Sequence, residues 1–180
     1  IPYIPVVTSQ SDTGRTNMSP SEYLTSDHRR LEELFASALR DGDIDMPLYD
    51  EFRIGLLRHI GIEESIVLPL VRERGGRFFG ERQLRLEHGA IAALLVPPPT
   101  PELTRALGAL LQKHNLLEET DRTLYDILDG CAEEHAQLVE RFAQQAPPPL
   151  SRFINNPDAY EPARRALARA GYDFDRLAAE

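Results

Sequence analysis

Four of the five histidines in this 180-residue chain form two matched pairs, and the second histidine of each pair precedes a glutamate by four residues. These six residues are His28, His59, Glu63, His88, His114 and Glu118. Residues four apart lie on one face of an α-helix, with Cβ atoms about 5–6 Å apart. Each His-x-x-x-Glu segment can therefore direct an imidazole and a carboxylate to one point, which predicts a site for two metal ions among four helices.

Imidazole and carboxylate groups are ligands that suit Fe, Mn or Zn. Two carboxylates from different helices can each bridge a pair of ions about 3.5–4 Å apart, and Glu63 and Glu118 are the candidates for this role. With two histidines per ion, each metal keeps vacant positions. We expect these positions to hold water, hydroxide, an oxo bridge or a diatomic ligand.

The sequence around the two halves of the pattern also repeats. Residues 28–35 resemble residues 88–95, and residues 57–65 align with residues 112–120. The chain therefore reads as a duplicated helix pair. A single histidine on an apolar helix face is usually a hydrogen-bonded core residue, but burying four imidazoles and two carboxylates at one level without metal would carry a large desolvation cost. A metal-free helical interaction module stays as an alternative.

Helix-start and helix-stop signals predict where the ligands are placed. Ser19, Pro20 and Glu22 form a helix-start signal, and Pro69 should kink or end the second helix before Gly75. We expect helices over about residues 20–40, 47–74, 80–96 and 101–130. Four such helices with short connections predict an all-α fold, an antiparallel up-down four-helix bundle.

The chain divides into three predicted parts. Residues 1–19 are polar and are expected to be a disordered leader, residues 20–130 the bundle, and residues 131–180 a C-terminal helical extension. We expect the extension to pack on the bundle or to mediate dimerisation or contact with a protein partner.

Composition narrows the class of protein. The net charge of −9 works against binding to nucleic acid or to anionic membranes, and no apolar segment is long enough to cross a membrane. Cys131 is the only cysteine, so an internal disulfide is excluded and a cytoplasmic location is expected. Glu-x-x-His, His-Glu-x-x-His and Gly-rich phosphate-loop motifs are absent from the sequence.

Two longer motifs resemble those of a known family. The segment from Arg58 to Pro69 is similar to the second-helix signature of hemerythrin-like, or HHE cation-binding, domains. His114-x-x-x-Glu118-Glu119, with Leu124-Tyr125, is similar to the fourth-helix signature, and the resemblance covers about residues 20–130. It implies two irons in an oxo- or hydroxo-bridged centre, with the four paired histidines as terminal ligands and the two glutamates as bridges.

The chain differs from the oxygen-carrying hemerythrins at two positions. Ala92 stands where their third helix has a second histidine, and Glu118 follows its histidine by four residues where they usually have an aspartate at five. The pattern is more similar to di-iron proteins of iron–sulfur cluster repair and to iron-sensing hemerythrin domains. The resemblance implies a protein that binds or senses O2, NO or peroxide, or handles iron. The alternative is an enzyme of cluster repair or peroxide consumption.

Several other residues near the motif have less demanding interpretations. His135 lies far along the chain from His114 and is expected at the surface. Glu32 is expected to be solvated. Glu64 and Glu119 are expected to face outward or to accept a hydrogen bond from an imidazole. Tyr125, two turns after Glu118 on roughly the same face, is expected to be a packed helix-end tyrosine; the alternative is that it donates to a bound oxygen species.

Overall fold

The computed structural model describes residues 18–74, 78–120, 123–131 and 134–180, and every regular element in these ranges is helical. The α-helices are α1 (Pro20–Ala38), α2 (Met46–Ile62), α3 (Leu68–Glu73), α4 (Glu81–Leu94), α5 (Pro101–Glu119), α6 (Leu124–Cys131), α7 (His135–Gln144), α8 (Tyr160–Arg169) and α9 (Phe174–Leu177). The all-α prediction is confirmed for these ranges. The predicted leader, residues 1–19, lies outside the described residues except for its last two. The predicted end of the second helix at Gly75 also lies outside them.

Side-chain caps explain where three of the long helices begin. Ser19 accepts a hydrogen bond from the backbone of Glu22 and the Glu22 side chain accepts one from the backbone of Ser19, so the predicted capping box is confirmed. The side chain of Asp45 accepts a hydrogen bond from the amide of Leu48 at the start of α2, and that of Thr100 accepts one from the amide of Leu103 at the start of α5. Both helices have a proline in the first turn. These contacts satisfy amide groups that the first helical turn leaves without partners.

The second predicted helix does not end at Pro69. After α2 the chain makes a π turn over Glu63–Val67, and α3 follows with Pro69 in its first turn. In the π turn the amide of Leu68 bonds to the carbonyl of Glu63, five residues back. A proline in the first turn of a helix removes no helical hydrogen bond, so the helical path continues past Pro69.

The fourth predicted helix is not continuous to residue 130. Helix α5 ends at Glu119, Thr120 is extended, and α6 begins at Leu124. The hydroxyl of Thr123 donates to the carbonyl of Glu118, 2.6 Å away, and to the carbonyl of Thr120, while the Thr120 hydroxyl donates to the carbonyl of Leu116. The two threonine side chains thus satisfy carbonyl groups at the helix end, which favours a turn at this point.

A polar layer separates two apolar clusters in the interior. On α1, Leu24 belongs to one cluster and Leu31 to the other, and the buried His28 lies between them. On α4, Leu84 and Ile91 enclose His88 in the same way. The apolar residues on each side hold the helices together, while the layer between them is reserved for imidazoles and carboxylates.

The C-terminal helices pack on the helices that carry this layer. Helix α7 contacts α1, α8 contacts α4, and α9 contacts α5. Leu167 on α8 and Leu177 on α9 are part of the same apolar cluster as Leu31. Within the described ranges, no helix has the combined length and apolarity that a membrane crossing requires.

Candidate metal centre

The six predicted ligands come together in the polar layer as two overlapping groups. One group contains His28, His59, Glu63 and Glu118, and the other contains Glu63, His88, His114 and Glu118. In each group, one potential ligand atom from every residue lies within 4.8 Å of all the others. The two glutamates belong to both groups, so the arrangement could hold two ions with shared carboxylates.

In the first group, α1 and α2 supply the imidazoles. His28 Nε2 lies 3.3 Å from Glu118 Oε2, and His59 Nε2 lies 3.4 Å from Glu63 Oε1. The two imidazole ring centres are 4.5 Å apart. The Nε2 atoms therefore converge on one oxygen from each glutamate.

In the second group, α4 and α5 supply the imidazoles. His88 Nε2 lies 3.2 Å from Glu63 Oε2, and His114 Nε2 lies 3.3 Å from Glu118 Oε1. The oxygens used here are the other ones of each carboxylate. Glu63 and Glu118 thus each direct one oxygen to each group, which is the geometry of a bridging carboxylate.

Burying these carboxylate and imidazole atoms away from water costs free energy unless a further group binds them. Glu63 and Glu118 are both 0% exposed. Three of the buried atoms, namely Glu63 Oε2, Glu118 Oε1 and His88 Nε2, have no hydrogen-bond partner in the described part of the chain. Because buried polar atoms in folded proteins nearly always have a partner, three unpartnered ligand atoms at one place fit a bound cation.

A second layer of carboxylates contacts the outer nitrogen of each imidazole. His28 Nδ1 lies 2.6 Å from Glu119, His88 Nδ1 2.8 Å from Glu64, His59 Nδ1 3.0 Å from Asp27, and His114 Nδ1 3.0 Å from Glu87. A hydrogen bond from Nδ1 fixes the ring so that Nε2 faces the metal. Glu64 and Glu119 therefore take the hydrogen-bonding alternative of their two predicted roles.

Sequence reasoning missed the other two carboxylates, although a signal was present. Asp27 directly precedes His28, and Glu87 directly precedes His88, so the duplicated pattern extends one residue further. Each of these carboxylates supports an imidazole from the helix that follows its own. The duplication thus includes the outer layer as well as the ligands.

Contacts beyond the carboxylates connect the centre to the rest of the molecule. Arg29 donates to Glu119 over 2.7 Å, and Arg30 donates to Asp27 over 2.8 Å. The hydroxyl of Tyr172, which follows α8, donates to Glu87 over 2.6 Å. The C-terminal extension therefore reaches the outer layer of the candidate site.

Tyr125 is packed in an apolar cluster, and its hydroxyl also faces the candidate ligands. Its hydroxyl donates to Glu63 Oε1 over 2.7 Å and lies 3.1 Å from His28 Nε2. In a continuous helix Tyr125 would lie about 10 Å further along the axis than Glu118. The break between α5 and α6 is what allows its hydroxyl to approach the centre.

The remaining predictions concern residues outside the two groups. Glu32 is half exposed and pairs with Arg29, which confirms its prediction as a solvated carboxylate. His135 is half buried beside the carbonyl of Asp129, 3.1 Å away, and belongs to neither group.

Comparisons with family models, with curated proteins and with solved structures find no match for this chain. The residue geometry is therefore the basis for assigning a role to the centre.

The carboxylates around the imidazoles raise the pKa of His59 and His28. Burial by itself lowers the pKa of His59, but Glu63 and Asp27 outweigh this effect and raise it to about 10. Burial and the neighbouring His59 lower the pKa of His28, but Glu118 and Glu119 raise it overall. Burial by itself raises the pKa of Glu63, but His59 and His88 hold it well below its usual range.

We expect metal affinity to rise with pH because an incoming cation must displace these protons. For His59 the proton is held up to about pH 10, so its displacement opposes binding across the neutral range. Each displaced proton weakens binding about tenfold per pH unit below that pKa. Anaerobic Fe²⁺ titrations at several values between about pH 6 and pH 8 measure the effect. An affinity independent of pH would contradict it.

Proposed function

We propose that this protein is a hemerythrin-like, non-haem di-iron protein that binds or senses O2, NO or peroxide, or handles iron. In this proposal α1, α2, α4 and α5 form an antiparallel up-down four-helix bundle around the two irons, in the predicted bundle region of residues 20–130. The observation that carries the proposal is the pair of fully buried glutamates, each with one oxygen in each ligand group.

The donor set is one that a pair of irons can use. Imidazole and carboxylate suit Fe, Mn and Zn, and two anionic carboxylates shared between ions stabilise high positive charge at close range. When bound, a pair of irons supplies one-electron chemistry and open positions for a small ligand. His28, His59, His88 and His114 would hold the irons at their ends, and Glu63 and Glu118 would bridge them.

An apolar cavity offers a small uncharged molecule a way to the centre. The cavity has a volume of about 390 Å³ and lies between α1, α2 and α5, with His28 among its lining residues. Much of its wall is formed by Leu31, Phe35, Phe52, Leu56 and Leu111. Apolar walls favour O2 or NO over charged molecules, because a charged molecule would lose its hydration there.

Metal analysis and exposure to air test the proposal. Protein purified without added metal is expected to contain close to two irons per chain. After anaerobic reduction, air is expected to change the absorption spectrum, and the change should persist under argon. The reason is that the anionic bridges favour the ferric state, and Ala92 on α4 supplies no extra imidazole to the ion near His88.

His135→Ala is the matched control and should behave as the unaltered protein. A return to the reduced spectrum under argon would indicate reversible oxygen carriage and would contradict a sensing or oxidant-handling role. Protein that neither contains nor binds iron would overturn the di-iron proposal and favour the metal-free interaction module.

A further inference from the structure

The hydroxyl of Tyr125 contacts every ligand atom of the first group. Besides Glu63 Oε1 at 2.7 Å and His28 Nε2 at 3.1 Å, it lies 3.3 Å from His59 Nε2 and 3.4 Å from Glu118 Oε2. Tyr125 is itself 3% exposed, so no bulk water competes for these positions. One oxygen atom is thus placed against all four atoms that would surround the first ion.

The four distances are those expected between atoms that bind one ion. Nitrogen and oxygen ligands bind transition metals at about 2.1 Å, so two ligands at right angles are about 3.0 Å apart, and tetrahedral ones about 3.4 Å. These are also the distances of hydrogen bonds, which the Tyr125 hydroxyl makes with these atoms here. The hydroxyl is therefore close enough to the four atoms to act as a fifth ligand of an ion that they held.

Among the residues that the structure describes, no hydroxyl contacts the second group in this way. The residue seven positions after Glu63, which corresponds to Tyr125 after Glu118, is Leu70, a partly buried apolar side chain. The unpartnered ligand atoms described above, Glu63 Oε2, Glu118 Oε1 and His88 Nε2, all belong to the second group. The duplicated halves therefore differ at the position that Tyr125 occupies.

We propose that Tyr125 is a further metal ligand, binding through its phenolate oxygen the ion held by His28 and His59. This proposal rests on the proposed function, since it requires a metal in the first group. Binding would replace the O–H bond by an oxygen–metal bond, and the displaced proton would leave the site as metal binding displaces protons from other ligands. Tyrosinate is an established ligand of ferric iron in proteins.

The proposal makes the two ions unequal. The first would have five protein ligands, from His28, His59, Glu63, Glu118 and Tyr125. The second would have four and would retain the vacant positions. The phenolate would favour the ferric state of the first ion.

Visible spectroscopy of the iron-loaded protein tests the proposal. Ferric iron bound to phenolate gives an intense charge-transfer band in the visible region, and excitation into that band enhances the tyrosinate ring modes in the resonance Raman spectrum. We expect the full-length protein, loaded with Fe²⁺ and oxidised with ferricyanide, to show both signals. Tyr125→Phe should lose both and retain close to two irons per chain.

Tyr49→Phe is the matched control, because Tyr49 is also buried but its hydroxyl has no hydrogen-bond partner among the described residues. This variant should keep the band. Two ferric irons without a tyrosinate signal in the unaltered protein would overturn the Tyr125 proposal alone. Absence of bound iron would overturn the proposed function as well, so the two failures are distinguishable. The Raman measurement on unaltered protein decides the question even if Tyr125→Phe does not fold.

Discussion

Glu63→Ala is expected to reduce the iron content from close to two per chain to nearly none. One oxygen of Glu63 faces His59 and the other faces His88, so the substitution removes a ligand from both groups at once. The remaining carboxylate would have to offset the charge of two closely spaced cations by itself. Metal analysis after gel filtration measures the loss, and Glu118→Ala should give the same result.

The adjacent glutamates provide matched controls. Glu64 and Glu119 have the same side chain as their neighbours but are partly exposed and face the outer nitrogens of His88 and His28. Glu64→Ala and Glu119→Ala should retain close to two irons, with affinity reduced about 10- to 100-fold at the supported ion. A full complement of iron in Glu63→Ala would contradict the assignment of Glu63 as a bridge.

Removal of the metal is expected to lower the melting temperature by about 10 °C. A ligand that binds only the folded state adds about 4 kcal/mol when its concentration is a thousand times Kd, and for a chain of this size each kcal/mol corresponds to about 2–4 °C. The physical reason is that the ions join α1, α2, α4 and α5 through one polar layer. Calorimetry of chelated and iron-loaded protein measures the difference.

Two variants serve as comparisons for this melting-temperature measurement. His135→Ala should show the same difference between the loaded and chelated forms, because His135 lies outside both ligand groups. Glu63→Ala should show almost none, since it has no site to load. Equal melting temperatures for loaded and chelated unaltered protein would mean that the ions do not stabilise the helices together.

The sequence could predict which residues of each helix share a face because that follows from local helical geometry. His59 and Glu63, like His114 and Glu118, are four residues apart, and that spacing fixes their common face whatever the partner helices do. The capping box at Ser19 is equally local. Repetition of the pattern then indicated that the two halves meet at one site, and the structure places all six residues together.

The parts that were missed depend on contacts between helices or on irregular backbone. The partner of Asp27 is 32 residues away on α2, and no local period connects the two. The approach of Tyr125 requires a break after α5, and a run of good helix formers around Leu117 gave little sign of it. Hydrogen bonds from the side chains of Thr120 and Thr123 to backbone carbonyls favour that break. The free energy of this arrangement differs little from that of a continued helix, so a sequence pattern does not reveal it.

The π turn at Glu63–Val67 makes the length of this segment a constraint on change during evolution. The turn holds one residue more than the α-helical path would, so deleting the exposed Ser65 would restore a regular helix and leave Val71 facing the apolar cluster. The restored helix would have Pro69 in its interior, where the proline ring clashes with the carbonyl four residues earlier at a cost of about 3 kcal/mol. Substitutions can accumulate on this surface, but the loss of one residue would remove the turn that accommodates Pro69.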